Sequence, residues 1–349
     1  MYITGNGSVL FSFNLINMKK FFLLLAISLV QLANAQTAFK ITNTFHIAST
    51  GGWDYLAVSP INDWLYVSHG TQVNILNKTS GDSVGVIENT TGVHGIAFDM
   101  ADKKGFTSNG RLNNVTVFDL YTNKALAQIA TGINPDAIMY EPYSKKIITC
   151  NGRSKNLSII DPEQNKLIDS VDVGGKPETA VSDGEGKLFV NIEDKNEIVV
   201  VDTKTFKVIN HWSIAPGEGP TGLAIDKKTK RLFAGCEKLL VVMDATNGNI
   251  VDKITIGDGC DGVAFDEILN NIYTANGADG TLSVIHEEAP SKFALVQTLA
   301  TKKSARTITL DNKTHAVYLP AADLEAPEPG QKGRPRMKPG TFQVLVVNK

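Results

Sequence analysis

From Phe39 to the end of the chain, apolar and β-branched residues fall in short runs, and Asp, Asn, Gly and Lys fill the gaps between them. Short runs bounded by turn formers predict β-strands. No segment carries the three-and-four apolar spacing that a helix needs, so helices are not expected. The runs recur as a unit of four. Asp136-Ala-Ile-Met-Tyr140, Lys146-Ile-Ile-Thr-Cys150, Asn156-Leu-Ser-Ile-Ile-Asp161 and Leu167-Ile-Asp-Ser-Val171 form one set, and equivalent sets follow Thr221 and Asp261. Unit heads stand at Asp54, His94, Asp136, Glu178, Thr221, Asp261 and Arg306, spaced by 40, 42, 42, 43, 40 and 45 residues. A period near forty with four strands per unit is that of a propeller blade. The expected fold is all-β, a seven-bladed β-propeller of four-stranded antiparallel blades.

The seventh unit supplies three strands, around 306–310, 316–319 and 342–347. The run Phe39 to Ile47 belongs to no earlier unit and reads like an outer strand. It is expected to complete the last blade and close the ring, which removes the unpaired edge of an open array.

The phrases Leu65-Tyr-Val-Ser-His69, Ile147-Ile-Thr-Cys-Asn151 and Ile272-Tyr-Thr-Ala-Asn276 resemble the repeat that names the YVTN family of β-propellers. The linkers Gly132-Ile-Asn-Pro135 and Gly174-Gly-Lys-Pro177 and the strand Val115-Thr-Val-Phe-Asp119 resemble that family too. The resemblance covers residues 39–349. It implies a seven-bladed propeller, often exported, and no single activity, since related propellers include binding, haem-bearing and lactone-processing types. No C-x-x-C-H haem motif is present.

The first 35 residues change the setting. Met18-Lys19-Lys20, the apolar run Phe21 to Leu32 and Ala33-Asn34-Ala35 match a secretory leader, with Met18 as the expected start. The expected division is a signal peptide at 1–35 and one propeller domain at 36–349, periplasmic or secreted, with no membrane span in the mature chain and a monomeric state. Removing Lys19 and Lys20 takes the formal charge from −2 to −4. That balance gives no general attraction for nucleic acid. Three Cys are present. Cys236 and Cys260 should share a face of adjacent blades and are candidates for a disulfide, against the alternative of two small buried residues; Cys150 is then the free one.

Propellers bind mostly at one mouth of the central channel, where the connections into the innermost strands and the loops between second and third strands gather. The heads Asp54, His94, Asp136, Glu178, Asp261 and Arg306 are therefore expected to ring one opening, with His69, Asn109, Asn151, Asn191, Cys236 and Asn276 around them. These polar residues either cap turns, hold a hard cation, with Asp136, Glu178 and Asp261 as ligands, or hold a small polar ligand through Arg306 and His94. No cofactor is predicted beyond that divalent cation. His94 is a weak candidate base. Trp53 could wall the mouth, while Trp64 and Trp212 are expected to pack between blades. A Pro-, Lys- and Arg-rich insertion at 321–340 should project on the mouth side, as a solvated loop, a basic lid or a partner-docking arm.

The leading reading is an exported, non-enzymatic binding or scaffold propeller that engages a small polar ligand, a cation or a protein. The first alternative is a periplasmic enzyme, lactone hydrolase or lyase-like, using His94 with a nearby carboxylate, with or without a metal. The second, single-stranded nucleic-acid binding, lacks a basic groove with interleaved aromatics.

Overall fold

The computed structural model describes residues 38–326 and 335–349. The chain divides into two units, Lys40–Asn348, which is the propeller, and Met1–Phe39 with Lys349. The leader, the start at Met18 and the middle of the insertion, 327–334, lie outside the described residues.

Seven four-stranded antiparallel sheets follow one another along the chain. Blades 1 to 6 occupy residues 53–87, 93–130, 135–172, 177–213, 223–255 and 260–300, each running from its innermost strand outward. Blade 7 takes its three inner strands from Thr309–Asp311, Ala316–Ala321 and Gln343–Asn348. Its outermost strand is Lys40–His46, paired antiparallel from Lys40 against Asn348 to His46 against Gln343. The N-terminal strand thus closes the ring as expected. Two inner strands begin later than their unit heads, at Leu223–Asp226 and Thr309–Asp311. Thr221 and Arg306 stand ahead of them.

The second and third strands of each blade are buried almost throughout, as in Lys146–Asn151 and Asn156–Asp161. A sheet sandwiched between two neighbours hides both faces, so these strands read as continuous apolar runs. The outermost strands keep an exposed face, as in Ala125–Ala130. The core lies in the seams between blades. Tyr66 and Ile75 of blade 1 pack with Ile96 and Phe118 of blade 2, and Trp64 joins them. Trp212 stacks on Phe189 beside the seam between blades 4 and 5. Each such large side chain contributes about 2–3 kcal/mol by burial.

The Asp that ends a third strand is a turn cap. Asp119 accepts from the backbone N–H of Tyr121 and Thr122 at 3.1 and 2.7 Å, and Asp202 does the same for Lys204 and Thr205 at 3.0 and 2.8 Å. Near the axis, glycines set the spacing. A Cβ on Gly95 would stand 2.8 Å from Ile138 Cγ2, and one on Gly262 the same distance from Ile308 Cγ2. Neighbouring inner strands therefore approach backbone to side chain with no room for a methyl group.

The expected disulfide is absent. Cys236 and Cys260, like Cys150, are buried free thiols. Each of the two directs its Sγ at a carbonyl of its own blade, Ala234 and Gly262, both at 3.7 Å. They serve as small buried residues with weak donors. The one helical element among the described residues is the short turn Glu193–Lys195, and no described helix is long and apolar enough to cross a membrane.

Candidate functional site

The strand heads meet at one mouth of the channel. His94 Nδ1 donates to Asp54 Oδ2 at 2.6 Å and lies 3.6 Å from Asp136 Oδ1. Arg306 pairs with Asp261, reaches within 3.5 Å of the other Asp54 oxygen and donates to the Trp53 carbonyl at 3.0 Å. Glu178 pairs with Lys176 at 2.5 Å, and Lys176 also pairs with Glu193. The seventh head, Thr221, donates to the Cys260 carbonyl at 2.6 Å. An open chain of charged contacts thus links blades 6, 7, 1, 2 and 3, and Glu178 of blade 4 pairs separately with Lys176 of the preceding linker.

Of the three carboxylates that the sequence put forward for a cation, only Asp136 belongs to a tight cluster. Asp54, His94 and Asp136 present one ligand atom each, all within 4.8 Å of one another. Glu178 and Asp261 are taken up by Lys176 and Arg306. Burial raises the Asp136 carboxyl above the usual carboxylate range, and the Asp54 charge adds to this against the pull of His94. Burial and the Asp136 charge likewise raise Glu178, while Lys176 opposes them. For His94, burial favours the neutral ring, but the hydrogen bond to Asp54 and the charges of Asp136 and Asp54 outweigh it and push the imidazole up to about 9. Protonated His94 is a donor at neutral pH, which weighs against its use as a general base.

Two participants escaped the sequence reading. Lys176 was in view only as part of the Gly174–Pro177 linker. Tyr55 is the other. The residues following the seven heads are Tyr55, Gly95, Ala137, Thr179, Gly222, Gly262 and Thr307, so one large side chain stands among six small ones. Its phenol is held neutral by burial and then by the charges of Asp136, Asp54, Glu178 and Asp261. Tyr55 therefore sits among carboxylates from four blades. Below the ring, Tyr55, Gly95, Ala137, Ile138, Cys150 and Thr179 line a cavity of about 170 Å³. Aligning the seven units by their heads would have shown this column.

The outer polar ring does not face the mouth. Asn109, Asn151 and Asn276 are fully buried and locked inside their blades. Thr149 Oγ1 donates to Asn151 Oδ1 at 2.9 Å, and Asn151 Nδ2 donates to Asn156 Oδ1 and Ser158 Oγ at 3.0 and 2.9 Å. Asn109 and Asn276 repeat this network. Thr and Asn two apart on a strand share a face, so the Thr-x-Asn phrase is a staple between second and third strands. Asn191 donates to the Gly222 carbonyl instead, at 2.9 Å. His69 is buried as well, stacked on Phe342 at 3.9 Å between ring centres, with Nε2 on the Gly51 carbonyl at 2.8 Å and Nδ1 on Ser49 Oγ at 2.5 Å. Burial holds its imidazole down to about 4, against the Gly51 contact.

A larger cavity, of about 800 Å³, opens on the mouth face. Asp261 and Arg306 form part of its polar wall, with Glu193 and Glu237. Trp53, Leu324 and Met337 contribute an apolar wall. The last two come from the described arms of the 321–340 insertion, joined at Leu324 and Met337 by a β-bridge and by Glu325 N–H to Arg336 O and Lys338 N–H to Asp323 O, both 2.8 Å. Trp53 also packs on Phe342 at 5.5 Å. Lys332 and Arg334 of the basic stretch lie outside the described residues.

No protein-family model matches the chain, and no curated protein sequence does. Among solved structures it is similar to Kuenenia stuttgartiensis hydrazine synthase, with a TM-score of 0.68 and 12% identity over 78% of this chain and 94% of that one. Likeness at that identity shows the propeller fold alone.

Proposed function

We propose that this propeller is a non-enzymatic binding protein that takes a small ligand with a polar end and an apolar body in the mouth cavity. The observation that carries the reading is the cavity of about 800 Å³ whose lining combines Asp261 and Arg306 with Trp53 and Met337. That size, with apolar walls and a few convergent polar groups, suits a small molecule. The motif resemblance to YVTN propellers and the leader pattern support an exported protein. The ring charges are largely matched to one another, and protonated His94 gives the enzyme reading little support. The cavity wall holds Glu193, Glu237 and Asp261 alongside Arg306 and Arg336, which also weighs against nucleic acid.

The test is native mass spectrometry of the chain against a panel of small zwitterions, sugar acids and quaternary amines. One class should give a 1:1 adduct that Trp53→Ala and Met337→Ala both weaken. Absence of any adduct, or adducts that both variants leave unchanged, would remove the cavity from the function.

A further inference from the structure

We propose that Asp54, His94 and Asp136 form a site for one divalent first-row cation of the zinc or manganese kind, set beside the channel axis. The three residues come from blades 1, 2 and 3, and Asp54 Oδ2, His94 Nδ1 and Asp136 Oδ1 converge within 4.8 Å. A cation with ligands at about 2.1 Å in a tetrahedral arrangement spaces them about 3.4 Å apart. The distances of 2.6 and 3.6 Å from Nδ1 to the two carboxylates bracket that spacing. Side-chain shifts of less than about 1 Å would place the cation where the Nδ1 proton lies.

The surroundings are those of a metal site. Metal-binding carboxylates are oriented by outer partners. The second oxygen of Asp54 faces Arg306 at 3.5 Å, and Arg306 is itself fixed by Asp261 and the Trp53 carbonyl, which orients the carboxylate with Oδ2 toward His94. His94 is wedged in place, because its Nε2 edge lies over Gly110, where a Cβ would stand 2.6 Å away. Tyr55 stands nearby, its side chain within the field of both Asp54 and Asp136. One imidazole with two carboxylates suits zinc, manganese or iron(II); calcium prefers six to eight oxygens. The site is distinct from the ligand cavity, whose lining includes none of the three residues.

The test uses untagged protein stripped with a chelator and titrated calorimetrically with Zn²⁺ and with Mn²⁺. One ion should bind 1:1, and His94→Ala and Asp136→Asn should each weaken it by roughly 100-fold or more. Glu178→Gln, a ring carboxylate outside the cluster, should keep wild-type affinity. The same ion should raise the melting temperature of wild type and Glu178→Gln but not of His94→Ala, with circular dichroism confirming that each variant is folded. The proposal is overturned if neither ion binds 1:1, which leaves a proton-sharing triad, if binding survives in both cluster variants, or if Glu178→Gln loses it equally.

Discussion

His94 and Asp54 are joined across the seam between blades 1 and 2 by a 2.6 Å hydrogen bond, Nδ1 to Oδ2. They stand 40 residues apart in sequence, at the same position of successive units. The bond turns a repeat into a site, since equivalent positions of a closed ring must face one another, and different residues there make different contacts. Arg306 extends the same chain of contacts back through Asp54 to Asp261.

Replacing Arg306 should be costly. Arg306→Met leaves Asp54 and Asp261 without their shared cation, and breaking a buried pair costs about 3–5 kcal/mol. Arg306→Lys should restore only part of this, because a compact ammonium lacks the planar fork, in which one nitrogen reaches Asp261 and another reaches Asp54 and the Trp53 carbonyl. Urea unfolding of the three proteins measures the order wild type, Lys, Met.

The Thr-x-Asn staple is structural. Asn151→Ala removes three hydrogen bonds and leaves the buried hydroxyls of Thr149 and Ser158 each short of a partner. The expected loss is about 2–4 kcal/mol of stability, with ligand and metal binding in the remaining folded protein unchanged. Equilibrium unfolding alongside binding titrations checks both halves.

His69 should make the fold sensitive to acid. Its imidazole is held down to about 4, against 6.5 for the free side chain. The unfolded chain therefore takes up a proton first. Stability from this residue is complete above pH 6.5 and is lost as pH falls toward 4, by about 3 kcal/mol. His69→Gln should show a flatter stability curve between pH 7 and 4 than wild type. An equally steep curve would remove His69 as the cause.

Glu287 should act in the opposite direction. It is buried, with Oε2 lacking a hydrogen-bond partner, and burial followed by the Asp226 charge pushes its carboxyl up to about 7, against the help of Thr229. A raised carboxyl favours folding below pH 4.5 and opposes it as pH rises through 7, by about 3 kcal/mol. Glu287→Gln should therefore be more stable than wild type at pH 8 and no more stable at pH 4, as thermal melts at the two values would show.

The blade count, the closure by the N-terminal strand and the packing of Trp64 and Trp212 were legible in the sequence, because strand period and turn chemistry repeat locally in every unit. The ring of strand heads was legible for the same reason. Their pairing was not. Whether Asp261 meets Arg306 or a cation depends on side-chain reach between neighbouring blades, and Lys176 arrives from a linker outside the repeated phrases. The outer ring misled, because Asn109, Asn151 and Asn276 at strand ends look like mouth residues until a Thr on the same strand is seen to hold each Oδ1 and Asn, Ser or Thr side chains of the next strand to accept from each Nδ2. Cys236 and Cys260 misled similarly: shared placement on one face does not aim two Sγ atoms at each other.

The most direct measurement of the central claim, a ligand site in the mouth cavity, uses the three tryptophans. With Trp64 and Trp212 replaced by Phe, Trp53 is the sole indole and it lines the cavity. A compound that forms a 1:1 adduct by native mass should then change the Trp53 emission saturably, with the same stoichiometry. An adduct that leaves Trp53 emission unchanged at saturation would place the ligand elsewhere and contradict the assignment.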